Sequence, residues 1–213
     1  MARNKHPEAT VERILDVAQR LFLEKGYDQT TIQDIVDGLD GLTKGAVYHH
    51  FKSKEEIMSA VGDRMFFENN PFEAVRARGD LNGLEKLREA VRLNQADEAR
   101  SRMTVQAVPI TQNPRVLVEM IESNRRVLTP YFLQLIEEGN RDGSIHTDYP
   151  REIAELLPLL TSLWLLPSVF PSTPEELAHK FRFIGEMLEK MGLPLFDDSI
   201  RALVDDFLAQ MAL

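Results

Sequence analysis

The chain of 213 residues has no cysteine. That excludes a disulfide framework, a thiolate metal site and a thiol nucleophile, and it fits a reducing, cytoplasmic setting. A long unbroken apolar run is also missing. The most apolar stretch, 153–170, carries Glu155 and two prolines, Pro158 and Pro167, so it reads as a buried helix and not as a membrane span. The opening residues, MARNKHPEATVER, are polar, and no secretory signal is expected from them. A basic excess is lacking too. The net charge is −9, so any grip on nucleic acid must come from one local face and not from the whole molecule. An acid, base and nucleophile in working order are not patterned anywhere, nor is a cofactor motif. No enzyme activity, catalytic residue or cofactor is expected.

What is present is helical periodicity in nearly every window. Val11, Ile14, Leu15, Ala18, Leu21 and Phe22 recur at helical spacing, and Gly26 stops that helix. Thr30 or Thr31 caps a second, short helix, with Gln33 or Asp34 in capping-box position. Gly38 to Leu42 is a turn. Thr43 caps a third short helix over 44–51. Ser53-Lys54-Glu55-Glu56 opens a fourth, which runs to about Asn69. The spacing predicts a connection over 71–80 and a charged helix over 81–100. A short helix over 101–108 ends at Pro109. A long helix over 114–141 has Pro130 as a kink point. The stretch 151–169 is apolar nearly all round. A helix starts at Thr173 and is stopped by Gly192, and a last amphipathic helix covers 197–211.

Two short helices joined by a tight turn form a helix-turn-helix, whose second helix enters the major groove of DNA. Between Leu42 and Lys54 there are three lysines, two histidines and no acid. Val47 and Phe51 stand one turn apart and anchor the third helix, so Lys44, Tyr48 and His49 project outward. His49 and His50 are poor candidates for a shared metal ion, because adjacent helical positions diverge by about 100°, and no metal site is expected.

The run Phe22-x-x-x-Gly26-Tyr27-x-x-Thr30-Thr31, then Ile35, then Thr43 to Glu55 (TKGAVYHHFKSKE) resembles the DNA-binding domain of the TetR family of bacterial transcriptional repressors. The resemblance covers about the first quarter of the chain. The turn from Gly38 to Leu42 is one residue longer than the family's usual pattern. The resemblance implies an all-α protein, with a helix-turn-helix domain over 1–53 and a helical ligand-binding and dimerisation domain over 54–213. The helix 54–69 serves as connector. It further implies a homodimeric repressor that binds double-stranded DNA at a near-palindromic operator and answers to a small-molecule effector. Thr30, Thr31, Tyr48, His50 and Lys54 are expected on phosphates, and Thr43, Lys44, Ala46 and His49 at the groove edges, while Gly45 lets the helix start approach the DNA backbone closely.

In the body, Met103, Gln106, Met120, Asn124, Phe132 and Trp164 form a mixture of aromatics, Met and amides that suits an apolar ligand. The apolar stripes Ile153, Leu156, Leu157, Leu160, Leu163, Trp164 and Leu177, Phe181, Ile184, Leu188 are the candidate dimer surface, to be completed as a four-helix bundle. A rival reading keeps the fold but makes the chain a ligand-binding or scaffold protein whose head no longer reads DNA.

Overall fold

The computed structural model describes residues 7–107, 111, 113–166 and 168–211. Every regular element among them is helical, in this order: α1 (Pro7–Lys25), α2 (Ile32–Asp37), α3 (Lys44–His50), α4 (Lys54–Glu68), α5 (Pro71–Arg76), α6 (Gly83–Ala96), α7 (Glu98–Ala107), α8 (Pro114–Ser123), α9 (Thr129–Asp142), α10 (Pro150–Leu159), α11 (Pro174–Lys190) and α12 (Asp198–Met211). The chain divides into two compact units: 1–69 with 98–110, and 70–97 with 111–213.

The first unit holds α1 to α4 and α7. Ile14, Ala18 and Phe22 of α1, Ile35 of α2, Val47 of α3, Ile57 and Val61 of α4 and Met103 of α7 are buried in it. The expected boundary at residue 53 therefore falls inside this unit. α4 belongs to the head, because its apolar side (Ile57, Met58, Val61, Met65) is spent there. Arg64 of α4 reinforces the packing on α1, with Asp16 at 2.6 Å and Glu12 at 3.3 Å.

The second unit holds α5, α6 and α8 to α12. α6 packs on α9, α9 on α10, and α11 on α12. Four expectations about its elements and their neighbours are corrected. The supposed connection 71–80 contains α5, because the Asn70 side chain accepts from the Phe72 and Glu73 N–H groups and Pro71 occupies the first turn, where its missing N–H costs nothing. The helix expected over 81–100 breaks at Asp97, and α7 starts there instead of at Ser101; Val108 and Pro109, its expected end, lie outside the described residues. The long helix over 114–141 is interrupted by a π-helical turn, Asn124–Leu128. Thr129 N–H reaches back five residues to Asn124 C=O, which widens the helix ahead of Pro130, whose ring otherwise collides with the carbonyl four residues earlier. A second π turn, Leu160–Trp164, follows α10. There the Thr161 hydroxyl donates back to Leu157 C=O at 2.9 Å, and the Ser162 hydroxyl donates to Pro158 C=O. The expected start at Thr173 holds: its side chain and that of Glu176 form a reciprocal capping box.

Candidate nucleic-acid interface

α1 stops where Gly26 takes φ 90°, a left-handed value. Tyr27 follows with its ring buried beside Phe22 at 5.5 Å. Thr31 then caps α2: its hydroxyl accepts from Asp34 N–H, and the Asp34 carboxylate accepts from Thr31 N–H at 2.7 Å and from the Thr31 hydroxyl at 2.6 Å. Lys25 lies 2.9 Å from the same carboxylate. The Thr31 hydrogen bonds, aided by Lys25, hold the Asp34 carboxyl well below its ordinary range. The longer turn is accommodated without loosening. Leu39 is buried in it, Gly41 supplies the left-handed residue with φ 76°, and Arg13 of α1 donates to Asp40 C=O at 3.1 Å.

α3 is capped by Thr43, whose side chain accepts from Ala46 N–H. Val47 is fully buried and fixes the helix from beneath. Thr43, Lys44, Gly45, Tyr48 and His49 are exposed, while Ala46 and His50 are half-buried. Tyr48 is 45% exposed, which leaves its ring and hydroxyl available to a partner. A Cβ on Gly45 would meet nothing closer than Thr43 Oγ1 at 3.9 Å, so nothing within the head demands glycine there. The result is a capped helix terminus flanked by two exposed lysines, Lys44 and Lys52, on a stretch free of acids.

A family description of bacterial regulatory proteins, tetR family, matches residues 14–61, the stretch that forms this head. The HTH-type transcriptional repressor KstR2 of Rhodococcus jostii (strain RHA1) is 30% identical over 148 residues, which is 66% of this chain and 70% of that protein. The HTH-type transcriptional repressor BepR of Brucella suis biovar 1 (strain 1330) is 30% identical over 166 residues, 72% of this chain and 78% of the relative. The chain belongs to the TetR family. In fold it is similar to a transcriptional regulator from Cytophaga hutchinsonii ATCC 33406, with a TM-score of 0.59 over 96% of this chain and 95% of that one, at 19% identity. As a TetR-family protein it is a DNA-binding transcriptional regulator, with α2 and α3 as the helix-turn-helix. Among the described residues no helix is long and apolar enough to cross a membrane.

Two residues expected on phosphates have partners within the head. Thr30 is completely buried, and its hydroxyl donates to Gly26 C=O at 2.8 Å, so it stabilises the end of α1 and is not presented to phosphate. Lys54 is likewise occupied. Its ammonium donates to Tyr27 C=O at 2.8 Å and to Thr30 C=O at 2.9 Å, and stands 3.9 Å over the Tyr27 ring. The first turn of α4 is a poor place for a cation with respect to that helix's own dipole. These two carbonyls and the ring provide the compensation.

The candidate ligand residues do not form one set. Met103 and Gln106 lie on α7 in the first unit, where Met103 is buried and Gln106 Oε1 accepts from Tyr27 N–H at 2.9 Å. Both are part of the head's own packing. Met120, Asn124, Phe132 and Trp164 lie in the second unit. Asn124, buried in its π turn, donates to the Ser162 hydroxyl at 2.6 Å, which ties the two π turns together. The Phe132 ring meets Phe72 edge-on at 5.0 Å, and Trp164 meets Phe183 edge-on at 5.7 Å.

The candidate dimer stripe is corrected as well. Ile153, Leu157, Leu177, Ile184 and Leu188 are at most 3% exposed within one chain, so they are core and not surface. Phe181 is edge-on to Phe207 of α12 at 6.1 Å. Leu156, Leu160, Leu163 and Trp164 remain half-buried. Sequence reasoning missed the apolar side chains that are exposed nearby in the chain: Leu159, Phe170 and Phe183.

Proposed function

We propose that the chain is a homodimeric, ligand-responsive repressor that reads a near-palindromic operator with one α3 per half-site. The observation that carries this reading is the division of α3. Val47 is locked in the core, while Thr43, Lys44, Gly45, Tyr48 and His49 are exposed to solvent. Lys44 and His49 are assigned to base edges and nearby phosphates, with Thr43 and Ala46 beside them. Thr31, Tyr48 and His50 are assigned to the backbone. The lengthened turn, fixed by Leu39 and Arg13, supports a helix held at a definite tilt and not a silent head. The dimer surface is the exposed side of α10, its π turn and α11, around Leu159, Leu163, Trp164 and Phe183. The effector site is assigned to the second unit near the two π turns, since such turns recur at functional sites and Asn124 with Ser162 offers a polar anchor among apolar groups. The ligand acts only if it binds the DNA-incompetent arrangement more tightly than the competent one.

Selection of bound sequences from random double-stranded DNA by the purified protein, at two salt concentrations, tests this. An enriched inverted repeat supports a symmetric dimer reading two half-sites. Failure to enrich any sequence at either salt overturns the operator reading and favours the scaffold alternative.

A further inference from the structure

Three residues on one face of α7 dock it in the head, at intervals of three. Arg100 donates to Met65 C=O at 3.1 Å and to Asn69 C=O at 2.6 Å, closing the end of α4. Met103 is buried. Gln106 accepts from Tyr27 N–H at 2.9 Å, across 79 residues of sequence. Positions i, i+3 and i+6 span about 120° of a helix's circumference, so one broad face meets all three demands.

The Gln106 contact falls at a decisive place. Tyr27 begins the turn that delivers Thr31 to the start of α2. Its carbonyl accepts from Thr30 N–H at 3.1 Å and from Lys54, and its N–H is held by Gln106. Thr31 in turn caps α2, and α2 packs on α3. Both polar groups of the Tyr27 backbone are thus fixed by side chains from other helices, one from α4 and one from α7. We propose that Gln106 is a positioning residue for DNA recognition: by holding Tyr27 N–H it sets where α2 begins, and through α2 it sets the presentation of α3. Gln106 touches no DNA in this scheme. The proposal rests on α3 being the reading helix.

The chemistry of the contact gives a clean test. Only the acceptor oxygen is used, so Gln106→Glu keeps the bond and Gln106→Met removes it at similar length and leaves the partly buried N–H unpaired. Full-length wild type, Gln106→Glu, Gln106→Met and Lys44→Ala are titrated with the selected operator and with a scrambled duplex over a salt series. Gln106→Met is expected to lower the ratio of specific to non-specific affinity by about tenfold, as for an orphaned buried donor, with the salt slope unchanged. Gln106→Glu is expected to keep the wild-type ratio; its added charge cancels because it acts on both duplexes. Lys44→Ala, a direct contact, is expected to lower the slope by about one. Amide hydrogen exchange on the free proteins needs no operator and separates the two readings. Exchange at Tyr27 and through α2 and α3 is expected to speed up in Gln106→Met and not in Gln106→Glu, with α9 unchanged. Wild-type ratio and exchange in Gln106→Met overturn the proposal, as does a Glu variant that behaves like the Met variant. Altered exchange with no operator found overturns only the operator reading.

Discussion

Lys54 illustrates how a side chain of the motif can already be engaged within the head. Its position in the motif suggests a phosphate, but its ammonium is already met by two carbonyls and the face of Tyr27. Replacing it with Met should destabilise the head by about 1.5–3 kcal/mol, the range for hydrogen bonds to a charged group, with no change in the salt slope of DNA binding. Thermal unfolding and a salt titration of the same variant check both halves; a fall of about one in the slope would return Lys54 to the phosphates. Asp34 makes a second residue-scale prediction. The bonds from Thr31, with Lys25 in support, keep its folded carboxyl below the ordinary value of 3.8, so the ion's stabilisation is complete above that pH and drains away as pH falls through the lower, folded value. The stability difference between wild type and Asp34→Asn should therefore shrink on acidification below about pH 4. Chemical denaturation at a series of pH values measures it, and a difference that grows towards acid would contradict the assignment.

At the scale of elements, local signals were legible and distant partners were not. The caps of α2, α3 and α4 at Thr31, Thr43 and Ser53 follow from residue types within three positions, and all are present. From sequence, Pro71 looks like a breaker and 71–80 like a connection, whereas in the first turn of α5 Pro71 is a starter. The partner that Gln106 and Lys54 share, Tyr27, is 79 and 27 residues away, beyond the reach of any local pattern. The crossing of α6 and α9 is another long-range feature that sequence alone conceals. Gly83 N–H donates to the Asp142 carboxylate at 2.7 Å, and a Cβ on Gly83 would run into the backbone of Gly139 and come within 2.8 Å of Leu135 C=O. Backbone cannot step aside as a side chain can. Gly83→Ala should cost on the order of 3 kcal/mol, the upper part of the overpacking range. Gly139→Ala, whose added Cβ has atoms of the Ile145 side chain as its nearest neighbours, should cost less. Urea unfolding of the two variants gives the order directly, and the reverse order would show that the helices separate more easily than Ile145 repacks.

For the whole molecule, what matters is which apolar side chains the single chain leaves uncovered. Periodicity marks a helix stripe as apolar but does not say whether its own chain or a second copy covers it. For α10 and α11 both kinds of stripe exist: Ile153, Leu157, Leu177, Ile184 and Leu188 are core, and Leu159 and Phe183 are 38% and 55% exposed. Trp164 stands at the edge of this second group, against Phe183, with the Lys180 ammonium 5.5 Å over its ring and donating to Trp164 C=O at 3.1 Å. An anchored aromatic of this kind suits a pre-organised interface, because little side-chain freedom remains to be lost on association. Phe183→Asp places an unpaired charge where the partner's apolar side would sit, and within the chain it gives up the edge-on contact with Trp164 at the surface. It should leave the folded monomer intact, shift the mass measured by analytical ultracentrifugation from dimer to monomer, and weaken operator binding by about a hundredfold or more as the two heads lose their mutual tether. Leu188→Asp, by contrast, should unfold the second unit. A Phe183→Asp protein that stays dimeric would move the interface off α11, and the exposed apolar residues of α8, Val118 and Ile121, would be the next side to test.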